Sequence, residues 1–435
     1  MTAYLKNISK SVLAAVSCVL LVSLLYHASD GDMTSYGTDE LMRYTARLAV
    51  PALSLSLLSM KNVRWVGVDL VLLLMAGIYS LSVYAGERSA ASKVALEEVF
   101  PYVLLWLSVK ALSSIRGRRW NTFLMLVFCV WLLAESVNGL SQVFGHRPSG
   151  HVGFGMTGSF SNPGPYGGLI AVLMSVSASY VLRHRRLMGL ISKLFLKGIA
   201  GIRSGQIWGS VYLRWILLRF FPFMTASASV VLGFMVLPAT RSRAGWLALC
   251  VALLLYACRE THFWSKLRYR RAAVAVLAVA IPTAAVGVFM LKKDSALGRL
   301  HIWNVEIRAV ASSPLIGYGP GTALGAYGDT QEAYFRSAER GEWEKRVAGC
   351  PEYAFNEYLK AGIETGLPGL VLAVCIAAFS VLELMKSGSV FAYGAAASSV
   401  FAFFSYPLSV MPLAVLYTIL LGVSCGVSRP GGRCA

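Results

Sequence analysis

Apolar runs of about twenty residues recur along this 435-residue chain, and they constrain its fold more than any other feature. A bilayer core about 30 Å thick is crossed by roughly 20 apolar residues in α-helix. Inside it, only helices and closed barrels satisfy their own backbone hydrogen bonds. Read in order, the runs predict twelve spans, near 10–27, 44–60, 65–84, 98–113, 121–144, 165–182, 220–238, 245–258, 272–291, 366–385, 390–405 and 410–427. The expected fold is all-α and polytopic: a single integral membrane unit over 1–435, about twelve transmembrane helices, and one long helical loop before the last three. With 56% hydrophobic and only 14% charged residues, against about a quarter charged in soluble proteins, an ordinary soluble enzyme is excluded. No small-residue cleavage site follows the first run, which therefore reads as a retained helix rather than a signal peptide.

Lysine and arginine in the short loops set the expected orientation. One set of connections carries Lys6 and Lys10, Lys61 and Arg64, Arg116, Arg118 and Arg119, Arg183, Arg185 and Arg186, then Arg259 to Arg271, Lys386, Arg429 and Arg433. The alternate set carries Asp30, Asp32, Asp39, Glu40, Glu87, Glu97 and Glu98, with Arg88 and Lys93 as exceptions, so both termini are expected on the cytoplasmic side. The net charge of +19 follows from this asymmetry, and nucleic-acid binding need not be invoked. The long basic connection 183–219, with Lys and Arg interleaved among Leu, Ile, Phe and Trp, has the pattern of a cytoplasmic helix lying on an anionic leaflet. Asp69, near the inner end of the third span, reads as a border residue. Of the eight cysteines only Cys350 falls outside, and the six histidines form no HExxH-like cluster. The spacing offers neither a disulfide framework nor a metal set.

Polar chemistry gathers on the other face. One segment there, 145–168, is rich in Gly, Pro, Ser and Asn; the second, 292–365, reads as a lid of short helices over that membrane face. Within it, 298-GRLHIWNVEIRAVASS-313 has helical periodicity, with Ile302, Val305 and Ala309 on one face and Trp303, Ile307 and Val310 beside them. Pro314 ends that helix, and 317-GYGPG-321 makes a turn that no strand precedes, so a nucleotide-loop reading is poor. Further helices are expected at 328–342 and 352–366. Glu135, Asn138 and Gln142, toward the outer end of the fifth span, are candidates to line a cavity.

In 240-TRSRAGW-246, Arg241 and Arg243 stand between apolar runs with no carboxylate nearby in sequence. Thr240 or Ser242 is placed to cap the eighth span. A helix N-terminus favours an anion, and the guanidinium fork grips phosphate oxygens without ever deprotonating. Snorkelling to phospholipid headgroups is the competing fate. Arg299 poses the same alternative, with pairing to Asp294 as its bland explanation.

Taken together, 157-TGSFSNPGPYGG-168, 240-TRSRAGW-246, 298-GRLHIWNVEIRAVASSPLIGYGPG-321 and 352-EYAFNEYLKAGIETGLPG-369 resemble, in order, the motifs of the O-antigen ligase and polymerase superfamily of bacterial envelope enzymes. The resemblance covers roughly the last two-thirds of the chain. It implies a multi-pass protein of the bacterial inner membrane, with 292–365 as a periplasmic loop and an active site on the periplasmic face. The implied reaction moves a glycan from undecaprenyl diphosphate to an acceptor hydroxyl, with inversion at the anomeric carbon and neither metal nor cofactor. Lipid A-core is the leading acceptor; a polymerase joining repeat units and a protein O-oligosaccharyltransferase are the alternatives. Carried over by motif, Arg243 and Arg299 meet the diphosphate, and Arg241 supports them. Asn162, His301, Tyr353 and Asn356 are further candidates for substrate contact.

The sequence departs from the resemblance in one place. Such ligases commonly carry a histidine at or just before the Asn-x-Tyr-Leu segment, and here no histidine follows His301. Glu357 is taken as the candidate catalytic base, with Glu352, Tyr353, His301 and His151 behind it; a desolvated carboxylate is an adequate base. The bland alternative for Glu357 is pairing with Lys360 or Lys345. A transporter or flippase, the reading from another class, would show mid-span charges and repeat symmetry, and the sequence offers few of the former and none of the latter.

Overall fold

The computed structural model describes residues 2–29, 35–59, 65–85, 89–203, 208–260 and 293–426. Those residues are helical with no strand among them. In chain order the helices are α1 (Thr2–Ser29), α2 (Ser35–Leu57), α3 (Gly67–Ala85), α4 (Ser89–Val143), α5 (Pro163–Arg183), α6 (Arg186–Arg203), α7 (Trp208–Ala239) and α8 (Arg243–Glu260). After them come α9 (Lys293–Ser312), α10 (Ala323–Ser337), α11 (Glu342–Val347), α12 (Glu357–Lys386), α13 (Phe391–Phe404), a 3₁₀ turn at Pro407–Ser409, and α14 (Met411–Gly426).

Seven stretches within these helices are long and apolar enough to cross a membrane, and α13 and α14 are shorter apolar helices. The chain is therefore a polytopic helical membrane protein. The count of twelve spans is not reproduced among the described residues, and the stretch 272–291 lies outside them. The fourth and fifth expected spans are the two halves of α4, joined at Gly117 where φ turns positive.

The core centres on α5, against which α4, α7, α8 and α13 pack. Asn162 caps this helix by accepting the Gly164 N–H at 2.8 Å, Pro163 opens it, and residues 165–179 are buried throughout. Elsewhere large apolar side chains remain uncovered, such as Val19 and Leu70, as expected of surface that faces lipid. Asp69 corrects the border reading: it is fully buried and pairs with Lys110 at 2.8 Å.

The lid is α9, α10 and α11, with α9 packed against the other two and against α12. Its own small core includes Ala309, Val310, Ala323, Ala326 and Ile363. Of the expected apolar positions, Val305, Ala309 and Val310 are buried, whereas Ile307 is exposed. The glycine-rich turn after α9 is a docking device. Tyr318 and Gly319 donate their backbone N–H groups to the carbonyls of Ile363 and Glu364, both at 2.9 Å, and Leu367 donates to Pro314 O at 2.7 Å. A Cβ on Gly317 would sit 2.4 Å from the Glu364 carbonyl carbon, and one on Gly366 would sit 2.6 Å from that of Leu315. Both residues have φ of 74°, which glycine alone adopts readily. At Gly366, α12 kinks between an initial lid-facing turn and its apolar run. The helix expected over 328–342 runs instead from Ala323 to Ser337, and the one expected from 352 begins at Glu357.

Candidate active site

Four separated segments converge, and backbone hydrogen bonding explains why. At the start of α8, Ser242 Oγ caps the helix by accepting the Gly245 N–H at 3.3 Å, and Thr240 Oγ1 steadies the preceding turn by accepting the Ser242 N–H at 3.2 Å. Ser242 Oγ also donates to Gly164 O at 3.1 Å, which ties this turn to the start of α5. The approach is so close that a Cβ on Gly245 would lie 2.6 Å from Gly167 O. The result fixes Arg243 as the first residue of α8, at the partial positive charge of a helix N-terminus. Arg241 is exposed on the preceding turn with φ of 51°, a left-handed conformation that is uncommon for a residue with a side chain.

Arg299 approaches from the lid. Its Nη1 donates to Phe404 O at 2.9 Å, and its guanidinium lies 4.9 Å from the centre of the Phe355 ring. Burial depresses its pKa, and the positive charge of Arg243 depresses it further, partly opposed by Tyr406. The two arginines, 56 positions apart in sequence, therefore act on each other electrostatically. Around Arg299 stands an aromatic wall: Tyr353 stacks on Tyr406 with centroids 4.2 Å apart, and Phe355 meets Tyr406 edge-on at 5.3 Å. Burial, with Tyr353 beside it, pushes the Tyr406 phenol up to about 12.

The remaining candidates have identifiable employment. Asn356 caps α12, its Oδ1 accepting the N–H groups of Tyr358 at 2.9 Å and Leu359 at 3.1 Å. Glu357 is buried and its Oε1 accepts the Leu408 N–H at 2.7 Å, so its carboxylate ties α12 to the 3₁₀ turn. It also interacts with Lys360, whose Nζ donates to Ser409 Oγ at 3.2 Å. His301 is buried against Tyr334 and Phe335, with Nε2 3.2 Å from Gln331 Oε1. His151 is exposed, its Nδ1 accepting the Gly153 N–H at 2.9 Å, and Glu352 is exposed. Asn162 is the α5 cap described above. Glu135 and Gln142 hold the 145–162 loop: Ser159 Oγ donates to Glu135 Oε1 at 2.8 Å, and Gln142 Oε1 accepts the Thr157 and Gly158 amides at 2.9 and 2.8 Å.

Two residues of the site escaped the sequence reading. Tyr406 lies in the short connection between α13 and α14, which carries no motif. Glu306 is 1% exposed on α9. Its signal was available, since it follows Arg299 by seven residues on a helix whose neighbouring positions are apolar.

A half-buried arginine under the electrostatic influence of a second arginine, beside an aromatic wall, is an arrangement able to hold an anion. Residues 228–374 match the family model described as O-antigen ligase, a family of glycosyltransferase-like ligases and polymerases. This match bears out the resemblance read from the sequence. It begins within α7, takes in Arg243, the lid and Arg299, and ends within α12. No curated protein matches the chain.

Proposed function

We propose that this protein is an O-antigen ligase-type glycosyltransferase that moves a glycan from undecaprenyl diphosphate to an acceptor hydroxyl, with lipid A-core as the leading acceptor. The observation that carries the reading is the mutual approach of Arg243 and Arg299. Two half-buried guanidinium groups that act on each other make a region of positive potential that favours an anion. A diphosphate fits: each fork can engage two phosphate oxygens, and the α8 N-terminus adds its partial charge. In the reaction the lipid diphosphate leaves, and its charge grows in the transition state. Preorganised donors stabilise that charge, so the reading needs no metal or cofactor.

In this reading the protein lies in the bacterial inner membrane, both termini are cytoplasmic, and the lid and arginines face the periplasm. Seven long apolar helices, α13, α14, α2, α8 and the apolar sequence 272–291 together make twelve spans. The connection 183–219 rests on the inner leaflet. The lack of a histidine after His301 favours a polymerase acting on the same lipid-linked donor as the second reading.

The test offers purified protein an undecaprenyl-diphosphate-linked glycan with three acceptors in turn: lipid A-core, a second lipid-linked unit, and a Ser/Thr peptide. Transfer to one acceptor, lowered about 100- to 1,000-fold in Arg243→Ala and in Arg299→Ala, is the expected result. Transfer by folded variants at the wild-type rate would return the arginines to headgroup anchoring. Transfer to no acceptor by the wild type would sink the reading.

A further inference from the structure

Arg299, Trp303 and Glu306 follow one another at spacings of four and three along α9, which sets them in one stripe of the helix. Contacts show where that stripe looks. Arg299 bonds to Phe404 O, and the Trp303 ring packs on Phe403 and Phe404 at 5.5 and 5.9 Å. Glu306 feels the charge of Glu357 at the start of α12. The stripe therefore faces the Phe404–Leu408 connection and the α12 N-terminus, where the aromatic wall stands. Two helical turns separate the Arg299 and Glu306 backbones, about 10.5 Å, a gap that a long arginine and a glutamate can share around one sugar ring.

Glu306 differs from the buried carboxylates of α12. Glu357 is occupied by the Leu408 amide and Glu364 by the Gly321 amide, the latter at 3.1 Å. Glu306 Oε2 is buried with no hydrogen-bond partner among the described residues. An orphaned buried carboxylate oxygen is costly to the fold, and such cost concentrates where a group has work to do.

We propose that Glu306 is the general base that takes the proton from the acceptor hydroxyl, an assignment that rests on the transferase reading above. The acceptor oxygen forms its bond to the anomeric carbon as that carbon's bond to the phosphate oxygen breaks. The bonding pair departs with the lipid diphosphate held by Arg243 and Arg299, and the hydroxyl proton passes to the Glu306 carboxylate. Glu306 thus does the work that the missing histidine would do, and Glu357 acts as a positioning residue that fixes the α12 N-terminus against the 3₁₀ turn. Burial and then Glu357 push the Glu306 carboxyl up to about 8, near the pH at which a base serves best. The titratable groups coupled to it are Glu357 of α12 and Tyr327 of α10; Arg299 and His301 lie on its own helix. Lys360 acts through its neighbour Glu357.

The experiment measures both donor binding and transfer for wild type, Glu306→Gln, Glu306→Asp and Arg299→Ala, using the undecaprenyl-diphosphate-linked glycan and the three acceptors above. Wild-type kcat/KM should rise with pH through about 8. In Glu306→Gln donor binding should persist, transfer should fall about 100-fold or more, and that rise should vanish. Glu306→Asp should keep the rise at a reduced rate, whereas Arg299→Ala should lose donor binding and transfer together. Glu306→Gln transferring like wild type, with the same rise, overturns the base and leaves the transferase reading standing. Misfolding of both Glu306 variants assigns the carboxyl to the fold and overturns it equally. An Arg299→Ala protein that binds and transfers normally, or a wild type without transfer, overturns the transferase reading and the base with it.

Discussion

If Glu306 is held at the expense of the fold, replacing it with the neutral isostere glutamine should stabilise the protein, and only above a defined pH. Burial, followed by the charge of Glu357, raises its carboxyl from an ordinary 4.5 to about 8. Below 4.5 the carboxyl is protonated in both folded and unfolded chains and contributes nothing to pH dependence. Between 4.5 and about 8 the folded state keeps a proton that the unfolded state has released, so stability falls as pH rises. Above 8 both states are ionised and the full penalty is present. At about 1.4 kcal/mol per pH unit, that interval corresponds to roughly 5 kcal/mol. Because Glu357 shares the burial and the repulsion, this is an upper figure. The assay is thermal unfolding in detergent from pH 5 to pH 9 for wild type and Glu306→Gln. The wild type should lose several degrees relative to the variant across this range, with the two closest at pH 5. A constant difference between the two curves, or a variant less stable at pH 9 than at pH 5 by as much as wild type, would refute the argument.

Other substitutions test the frame that holds the site. Lys110→Met should leave Asp69 as an uncompensated buried charge and cost about 3–5 kcal/mol, while Lys110→Met combined with Asp69→Leu should recover most of it, read as thermal stability in detergent. Gly245→Ala places a methyl 2.6 Å from Gly167 O and should destabilise by about 1–3 kcal/mol. Because it pushes the α8 N-terminus from α5, it should also raise KM for the lipid-linked donor. Asn356→Ala removes two capping bonds and should cost about 1 kcal/mol; Asn356→Asp should retain nearly all of it in the same melt.

What the sequence made legible follows from the range of the forces involved. Apolar runs report a local quantity, transfer into lipid, and so the helices, the kinked pair at Gly117 and the α8 cap could be read residue by residue. Arg243 and Arg299 were legible as candidates because a guanidinium at an apolar border is locally anomalous. Their proximity was not legible, since it depends on the α5–α8 approach through Gly164, Gly167 and Gly245 and on the docking of the 317–321 turn to α12. Structural employment was no more legible. Asn356 and Glu357 look chemical in a linear motif, yet their carbonyl and carboxylate oxygens are consumed by nearby amides, of Tyr358 and Leu359 in one case and Leu408 in the other. Glu306 looks like one more charge in a lid that carries both signs. Only its burial and its unpartnered oxygen distinguish it, and burial is a property of the packed lid. A carboxylate whose hydrogen bonds are complete has a structural explanation that suffices. One left incomplete in a buried site requires another partner, and in a transferase the group that must arrive there to lose a proton is the acceptor hydroxyl.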